Sequence, residues 1–193
     1  LCMTYDPKDA QNYSLHHTMA IYSKYPIKEK TPSYDIYFSF TGLSRLETVC
    51  SLSEYFLYNQ VNTNIIIAGE PSLEEYINTH TQGIHFLKSR KPYSEIIEDI
   101  SNTNCLLEIL QEGHCGSTLR YYEAICYNKK LLTNNKNIVN LPFYNPAYMK
   151  VFENLSDIDC EWIRKREPVY YGYDNRFSPN QLLNEIEDLQ TSP

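Results

Sequence analysis

The sequence predicts an α/β fold: a mainly parallel sheet with helices on both faces. Three observations predict it. Short apolar runs of four to seven residues alternate with segments whose apolar residues recur at helical spacing. One run, Asn64 to Gly69, is apolar without the polar alternation of a half-solvated strand, as expected of a strand covered on both faces. Glycines follow several of these runs, at Gly42, Gly69, Gly113 and Gly116, where a strand turns towards the next helix.

Each element has its own local reason. Tyr34 to Phe40 is a β-branched and aromatic run stopped by Thr41-Gly42. Ser44 is placed to cap a helix on which Leu46, Val49, Cys50, Leu52, Ser53, Phe56 and Leu57 share a face. A polar piece from Ser72 to Thr79 reads as helical and leads to a short strand at Ile84 to Leu87. Pro92 opens a helix bearing Ile96, Ile97 and Ile100, since the first turn has no use for the missing N–H. Cys105 to Leu110 reads as a strand, Ser117 to about Tyr127 as a helix, and Lys130 to Thr133 as a further strand. A last helix starts at Pro179 and carries Leu182, Leu183, Ile186 and Leu189. Residues 1–33, punctuated by Pro7, Pro26 and Pro32, read as an arm entering a domain that occupies 34–193.

Bulk properties narrow the function. A chain of 193 residues suffices for one domain with a real core. Its net charge of −7, with no long basic run, argues against nucleic acid or an anionic membrane as the main partner. No apolar run approaches the roughly 18 residues that span a bilayer. Leu1 to Asp6 lacks the basic and apolar regions of a signal peptide and, without an initiator methionine, reads as a processed or excised segment. Cys50, Cys105 and Cys126 sit in apolar periodic segments and no C-x-x-C pair occurs, so buried reduced thiols are expected rather than disulfides or a metal site.

In a parallel sheet the ligand crevice lies beyond the carboxyl ends of the strands. That edge gathers Gly42 to Arg45, Gly69 to Pro71, Lys88 to Pro92, Gln111 to Thr118 and Thr133 to Asn135. The run Gly116-Ser117-Thr118 opens into a helix, where backbone N–H groups and the helix dipole favour an anion. Glu123, a turn further in, can accept from a ribose diol, and Arg45 can offer a fork of donors to a phosphate. The same residues serve equally as an ordinary N-cap, a solvated glutamate and a surface arginine. Lys88, Arg90 and Lys91 make a small basic cluster on this edge, and Tyr93 beside it is a candidate for stacking on a base. The loop is neither a Walker motif, lacking G-K-[ST], nor a dinucleotide fingerprint, which would follow the first strand. His114 and Cys115, being chain neighbours on a tight loop, do not make a nucleophile–base pair or a metal set.

Taken in order, Tyr34 to Gly42, Arg45, Gly116 to Arg120 with Glu123-Ala124, Asn128 to Asn135 and Phe143-Tyr144-Asn145-Pro146 resemble bacterial capsular and lipopolysaccharide biosynthesis glycosyltransferases. Tyr5 to Ala10 with Tyr13 is similar to the segment that enters the carboxy-terminal domain of that group. The resemblance implies a Rossmann-like, doubly wound domain, one half of a GT-B architecture, that holds a nucleoside-diphosphate sugar as donor without a bound metal or other cofactor. It implies a donor site of Gly42, Arg45, Lys88, Gly116, Ser117, Thr118, Arg120 and Glu123, with Glu123 on the ribose and Arg45 on the phosphates. It also implies a glycan or lipid-linked acceptor bound through an amino-terminal domain outside this chain. The location implied is cytoplasmic, at the inner face of the membrane in a full-length protein, with no direct membrane insertion. The isolated half is then expected to bind donor weakly and turn over little. Many retaining members have two glutamates closer together than Glu112 and Glu123, which have ten residues between them. That departure removes the ground for assigning Glu112 to the sugar or for a retaining outcome. The alternative reading is a non-catalytic α/β module that binds a nucleotide or a protein.

Overall fold

The computed structural model describes residues 2–28, 30–41, 44–69, 83–111 and 116–191. The arm supplies β1 (Met3–Thr4), α1 (Pro7–Tyr13) and β2 (His16–His17). The main sheet is formed by β3 (Tyr34–Thr41), β4 (Thr63–Ala68), β5 (Ile84–Leu87), β6 (Thr103–Glu108), β7 (Lys130–Thr133) and β8 (Met149–Val151). Around it lie α2 (Leu46–Tyr58), α3 (Tyr93–Ser101), α4 (Leu119–Cys126), α5 (Cys160–Arg164) and α6 (Pro179–Thr191). The helix expected over Ser72 to Thr79 lies outside the described residues.

All six main strands are parallel, in the order β5-β4-β3-β6-β7-β8. Counted from β3, that is the doubly wound order 3-2-1-4-5-6. The direction of winding reverses between β3 and β6, where Ile36 pairs with Cys105 and Tyr37 with Leu106.

Alternation along the strands builds a core on each face. Ile36, Phe38 and Phe40 of β3, Ile65 and Ile67 of β4, and Cys105 and Leu107 of β6 meet Val49, Leu52 and Phe56 of α2 and Ile163 of α5. Tyr37, Ile66 and Leu106 point the other way, onto Ile97 and Ile100 of α3 and Tyr121, Tyr122 and Ile125 of α4. Every residue of β6 is buried, as befits a strand covered on both sides. Helices therefore cover both faces, as the sequence predicts.

Three local expectations are corrected. The strand expected at Cys105 to Leu110 runs from Thr103 to Glu108, because Thr103 already pairs with Tyr34 and the Asn104 amide is satisfied by the Ile163 and Lys165 carbonyls. Ser44 does not cap α2. Arg45 occupies the cap position without a side-chain cap bond, while the Ser44 hydroxyl accepts from Gln111 Nε2 at 3.2 Å. Likewise Thr118, not Ser117, caps α4, accepting from the Arg120 N–H at 3.2 Å. Cys105 and Cys126 are buried free thiols, and burial pushes the Cys126 thiol up to about 12.

The arm stays outside the main sheet but packs on it. Tyr22 is buried against Tyr122, and its N–H donates to the Phe177 carbonyl at 2.8 Å. Further along, Glu185 of α6 accepts from Thr18 at 2.7 Å and lies 2.8 Å from His16 Nε2. Burial raises the Glu185 carboxyl, but the His16 and Thr18 bonds and nearby histidine charge outweigh it and hold the group below the ordinary glutamate value. A carboxyl lowered in the folded state stabilises it above the unfolded value of about 4.3 and loses that contribution as pH falls through the lowered one. Glu185→Gln is accordingly expected to raise amide exchange across Leu15 to Thr18 several-fold at neutral pH, measured by hydrogen exchange. Exchange at Arg120 to Tyr127 should not change.

Candidate functional site

The reversal between β3 and β6 opens a gap at the carboxyl ends of the strands, and the charged side chains converge on it. Two adjoining cavities of about 280 and 180 Å3 share Ser39, Ile96 and Arg120 as a common wall. The larger is also lined by Arg45, Tyr93, Thr118 and Glu123, the smaller by Thr41, Arg90 and Lys91. Together they fall in the lower range of small-molecule sites. A cavity of about 680 Å3 lies elsewhere, between the arm and α6. There His16 sits beside Glu185 and Arg176 beside Asp174 at 3.0 Å, whereas the crevice at the reversal holds a half-buried cation with no counter-ion among the described residues.

That cation is Arg45. Its Nη1 donates to the Ile109 carbonyl at 2.9 Å, just beyond β6, and its guanidinium lies over the Phe40 and Phe38 rings, 5.1 and 5.7 Å from their centroids. Its Nε is buried and has no hydrogen-bond partner among the described residues. Burial lowers its proton affinity and the Arg120 charge lowers it further. Two arginines on one crevice, one without an ion pair among the described residues, make a site that an anion would stabilise.

Arg120 is the second. It forms an ion pair with Glu123 one turn along α4, donates to Ser39 Oγ at 2.9 Å through Nη2, and lies 5.1 Å from the Tyr37 ring centroid. Burial alone would lower its proton affinity, but the Glu123 charge overcomes that and raises it. Glu123 is 1% exposed. Its Oε2 takes the Arg120 guanidinium and its Oε1 accepts from the Tyr93 hydroxyl at 2.9 Å. A ribose diol at this carboxylate would use the remaining lone pairs.

The loop that enters α4 is tied down from below. Glu108, the last residue of β6 and 1% exposed, accepts at Oε1 from the Thr118 N–H (3.2 Å) and hydroxyl (2.6 Å), and at Oε2 from the Thr133 hydroxyl (2.5 Å). Burial pushes its carboxyl up, and the three donors oppose that. The Ser117 hydroxyl pairs with the Tyr122 hydroxyl at 2.7 Å. Gly116 is buried against the arm, where a Cβ would stand an ordinary contact distance of 3.4 Å from the Tyr5 carbonyl oxygen. Both hydroxyls thus fix the start of α4, whose positive dipole end meets the larger cavity at Thr118.

Of the residues expected in the site, Arg45, Thr118, Arg120 and Glu123 line the larger cavity, with Ser117 and Gly116 holding the loop beside it. Lys88 is exposed and lines neither cavity. Lys91 is engaged by Asp99 at 2.7 Å, which leaves Arg90 as the basic cluster's contribution to the smaller cavity. Gly42, Glu112, His114 and Cys115 lie outside the described residues. Ser39 and the tether at Glu108 were not anticipated. The available signal for Glu108 was a carboxylate ending an otherwise apolar strand.

Among the described residues no helix is long and apolar enough to cross a membrane. No family model matches the sequence and no curated protein matches it. The fold does match a solved structure, a point mutant of S. aureus TarM in complex with fondaparinux, α-GlcNAc-glycerol and UDP. The TM-score is 0.62 at 10% sequence identity, over 98% of this chain and 43% of that one. The chain therefore spans less than half the length of that protein. At such identity the likeness concerns the fold alone, a Rossmann-like α/β domain with a doubly wound parallel sheet.

Proposed function

We propose that this chain is the donor nucleotide-sugar-binding domain of a glycosyltransferase acting in bacterial surface polysaccharide biosynthesis. The observation that supports it most is the Arg45 guanidinium at the β3–β6 reversal, beside the start of α4, which has no counter-ion among the described residues. A diphosphate supplies the missing negative charge, and the dipole end of α4 adds to its binding. Glu123 takes the ribose through its free lone pairs, with Tyr93 on the same wall available to the base.

The neighbour's UDP complex agrees with this reading, and the fraction of that chain covered agrees with an acceptor-binding domain outside the present one. Phosphate charge is neutralised by arginines, so no metal is called for at the donor. The acceptor is a glycan or lipid-linked glycan, and the domain works in the cytoplasm at the inner face of the membrane. A developing nucleoside-diphosphate leaving group would be stabilised by Arg45 and the α4 terminus, which strengthen their hold as its negative charge grows.

The test is a thermal-shift titration with UDP, GDP, CDP and ADP. Ligand at 100 times its dissociation constant stabilises by about 2.7 kcal/mol, a readily measured shift. One diphosphate should shift the melting point, and Arg45→Ala should weaken that binding about 30-fold or more, as expected for truncating a desolvated charge partner. A well-folded protein that responds to none of the four would favour the non-catalytic module.

A further inference from the structure

The Glu123 carboxylate is not held by its own helix alone. Tyr93 of α3 donates its only proton to Glu123 Oε1 at 2.9 Å, and its oxygen lies 2.8 Å from the hydroxyl of Tyr22. Because the Tyr93 proton is spent on the carboxylate, the proton between the two tyrosines belongs to Tyr22. The Tyr22 oxygen lies in turn 3.3 Å from the Tyr127 hydroxyl, which accepts the Tyr25 N–H at 3.0 Å. The hydroxyls of Tyr127, Tyr22 and Tyr93 thus stand in one row that ends on the Glu123 carboxylate. Burial, together with this hydrogen bonding, pushes Tyr22 far above the ordinary tyrosine value, so the row stays protonated at any physiological pH.

Tyr22 belongs to the arm, about seventy residues from Tyr93 and a hundred from Glu123. It is 4% exposed and its ring stacks on Tyr122 at 6.3 Å with an interplanar angle of 13°. The neighbouring Ala20 N–H donates to the Tyr122 hydroxyl at 3.1 Å, so the arm is fixed to α4 on both sides of the row. α3 therefore meets α4 at one carboxylate oxygen, with the arm behind it through Tyr93, while the other oxygen takes Arg120, which also donates to Ser39.

We propose that Tyr22 is a positioning residue for the nucleotide: through Tyr93 it fixes the Glu123 carboxylate, and through that the Arg120 guanidinium, in the orientation they present to the crevice. This rests on the crevice being the nucleotide site. The arm is then part of the donor site, and whatever loosens the arm loosens the grip on ribose.

Tyr22→Phe keeps the stacked ring and deletes only the hydroxyl, and a melting curve confirms that it folds. UDP and 2′-deoxy-UDP are titrated into wild type, Tyr22→Phe and Tyr93→Phe. Tyr22→Phe should weaken UDP about five-fold, the size of one net hydrogen bond, and 2′-deoxy-UDP less than about two-fold. Tyr93→Phe should do the same or more. Equal loss for both nucleotides, or none for either, overturns the positioning role, since a merely structural tyrosine would not distinguish them. The ligand-free protein supplies a second readout, the exchange of the Arg120 side-chain N–H protons followed by NMR. Faster exchange by about five-fold or more in Tyr22→Phe supports the proposal, and unchanged exchange overturns it, whether or not UDP binds. Absence of binding to wild type by all four of UDP, GDP, CDP and ADP, rather than by UDP alone, counts against the nucleotide reading.

Discussion

Glu123→Ala is expected to lower the folding free energy by about 3–5 kcal/mol, the range for removing one member of a buried ion pair. The Arg120 side chain is 13% exposed and, among the described residues, would keep the Ser39 hydroxyl and the Tyr37 ring as partners. The Tyr93 hydroxyl would lose the acceptor of its proton. The cost is that of an uncompensated charge rather than the net worth of the pair, so the double variant Arg120→Met with Glu123→Met should be milder than Glu123→Ala alone. Urea denaturation of the singles and the double measures the coupling. A double variant as damaging as the sum of the singles would count against the ion pair as the source. Nucleotide binding should be lost in both, because each removes the carboxylate proposed for the ribose.

Glu108→Ala is expected to cost about 3–5 kcal/mol as well, by a different route. It leaves the Thr118 N–H and the Thr118 and Thr133 hydroxyls without their acceptor, and opens space under the start of α4. Thr133 Oγ1 already accepts the Asn135 N–H at 2.9 Å and has a lone pair left for an amide donor. Glu108→Gln should therefore recover most of the loss. Its pH behaviour separates the two effects. A carboxyl raised by burial binds a proton more readily folded than unfolded, so its contribution to stability increases as pH falls through the raised value towards the unfolded one near 4.3. That component should be present in wild type and absent in Glu108→Gln when stability is followed by denaturation from neutral pH down to about 4.5.

Most of the sheet was legible because its strands state themselves locally. Tyr34 to Phe40, Ile84 to Leu87 and Lys130 to Thr133 are β-branched or apolar runs bounded by turn residues, and they fall where expected. The edge strand at Met149 to Val151 was not legible, since three residues show no period and its place depends on pairing with Leu131 to Thr133. At the site, Arg45 and Glu123 could be named because they follow a glycine-ended strand and a glycine loop. What Arg45 lacks and what Glu123 has could not be read. The Ile109 carbonyl beside Arg45 is 64 residues away, and the tyrosines behind Glu123 come from the arm and from α3. The Thr118 cap and the Glu108 tether are a similar case, because only the fold brings the end of β6 under the start of α4.

The most direct measurement is the structure of the protein with the diphosphate that gives the largest thermal shift, by crystallography or NMR. The expected result is phosphate oxygens against Arg45 at the β3–β6 gap, with the ribose facing Glu123 and Tyr93. A nucleotide seated instead between the arm and α6, with Arg45 untouched, would contradict the assignment of the donor site.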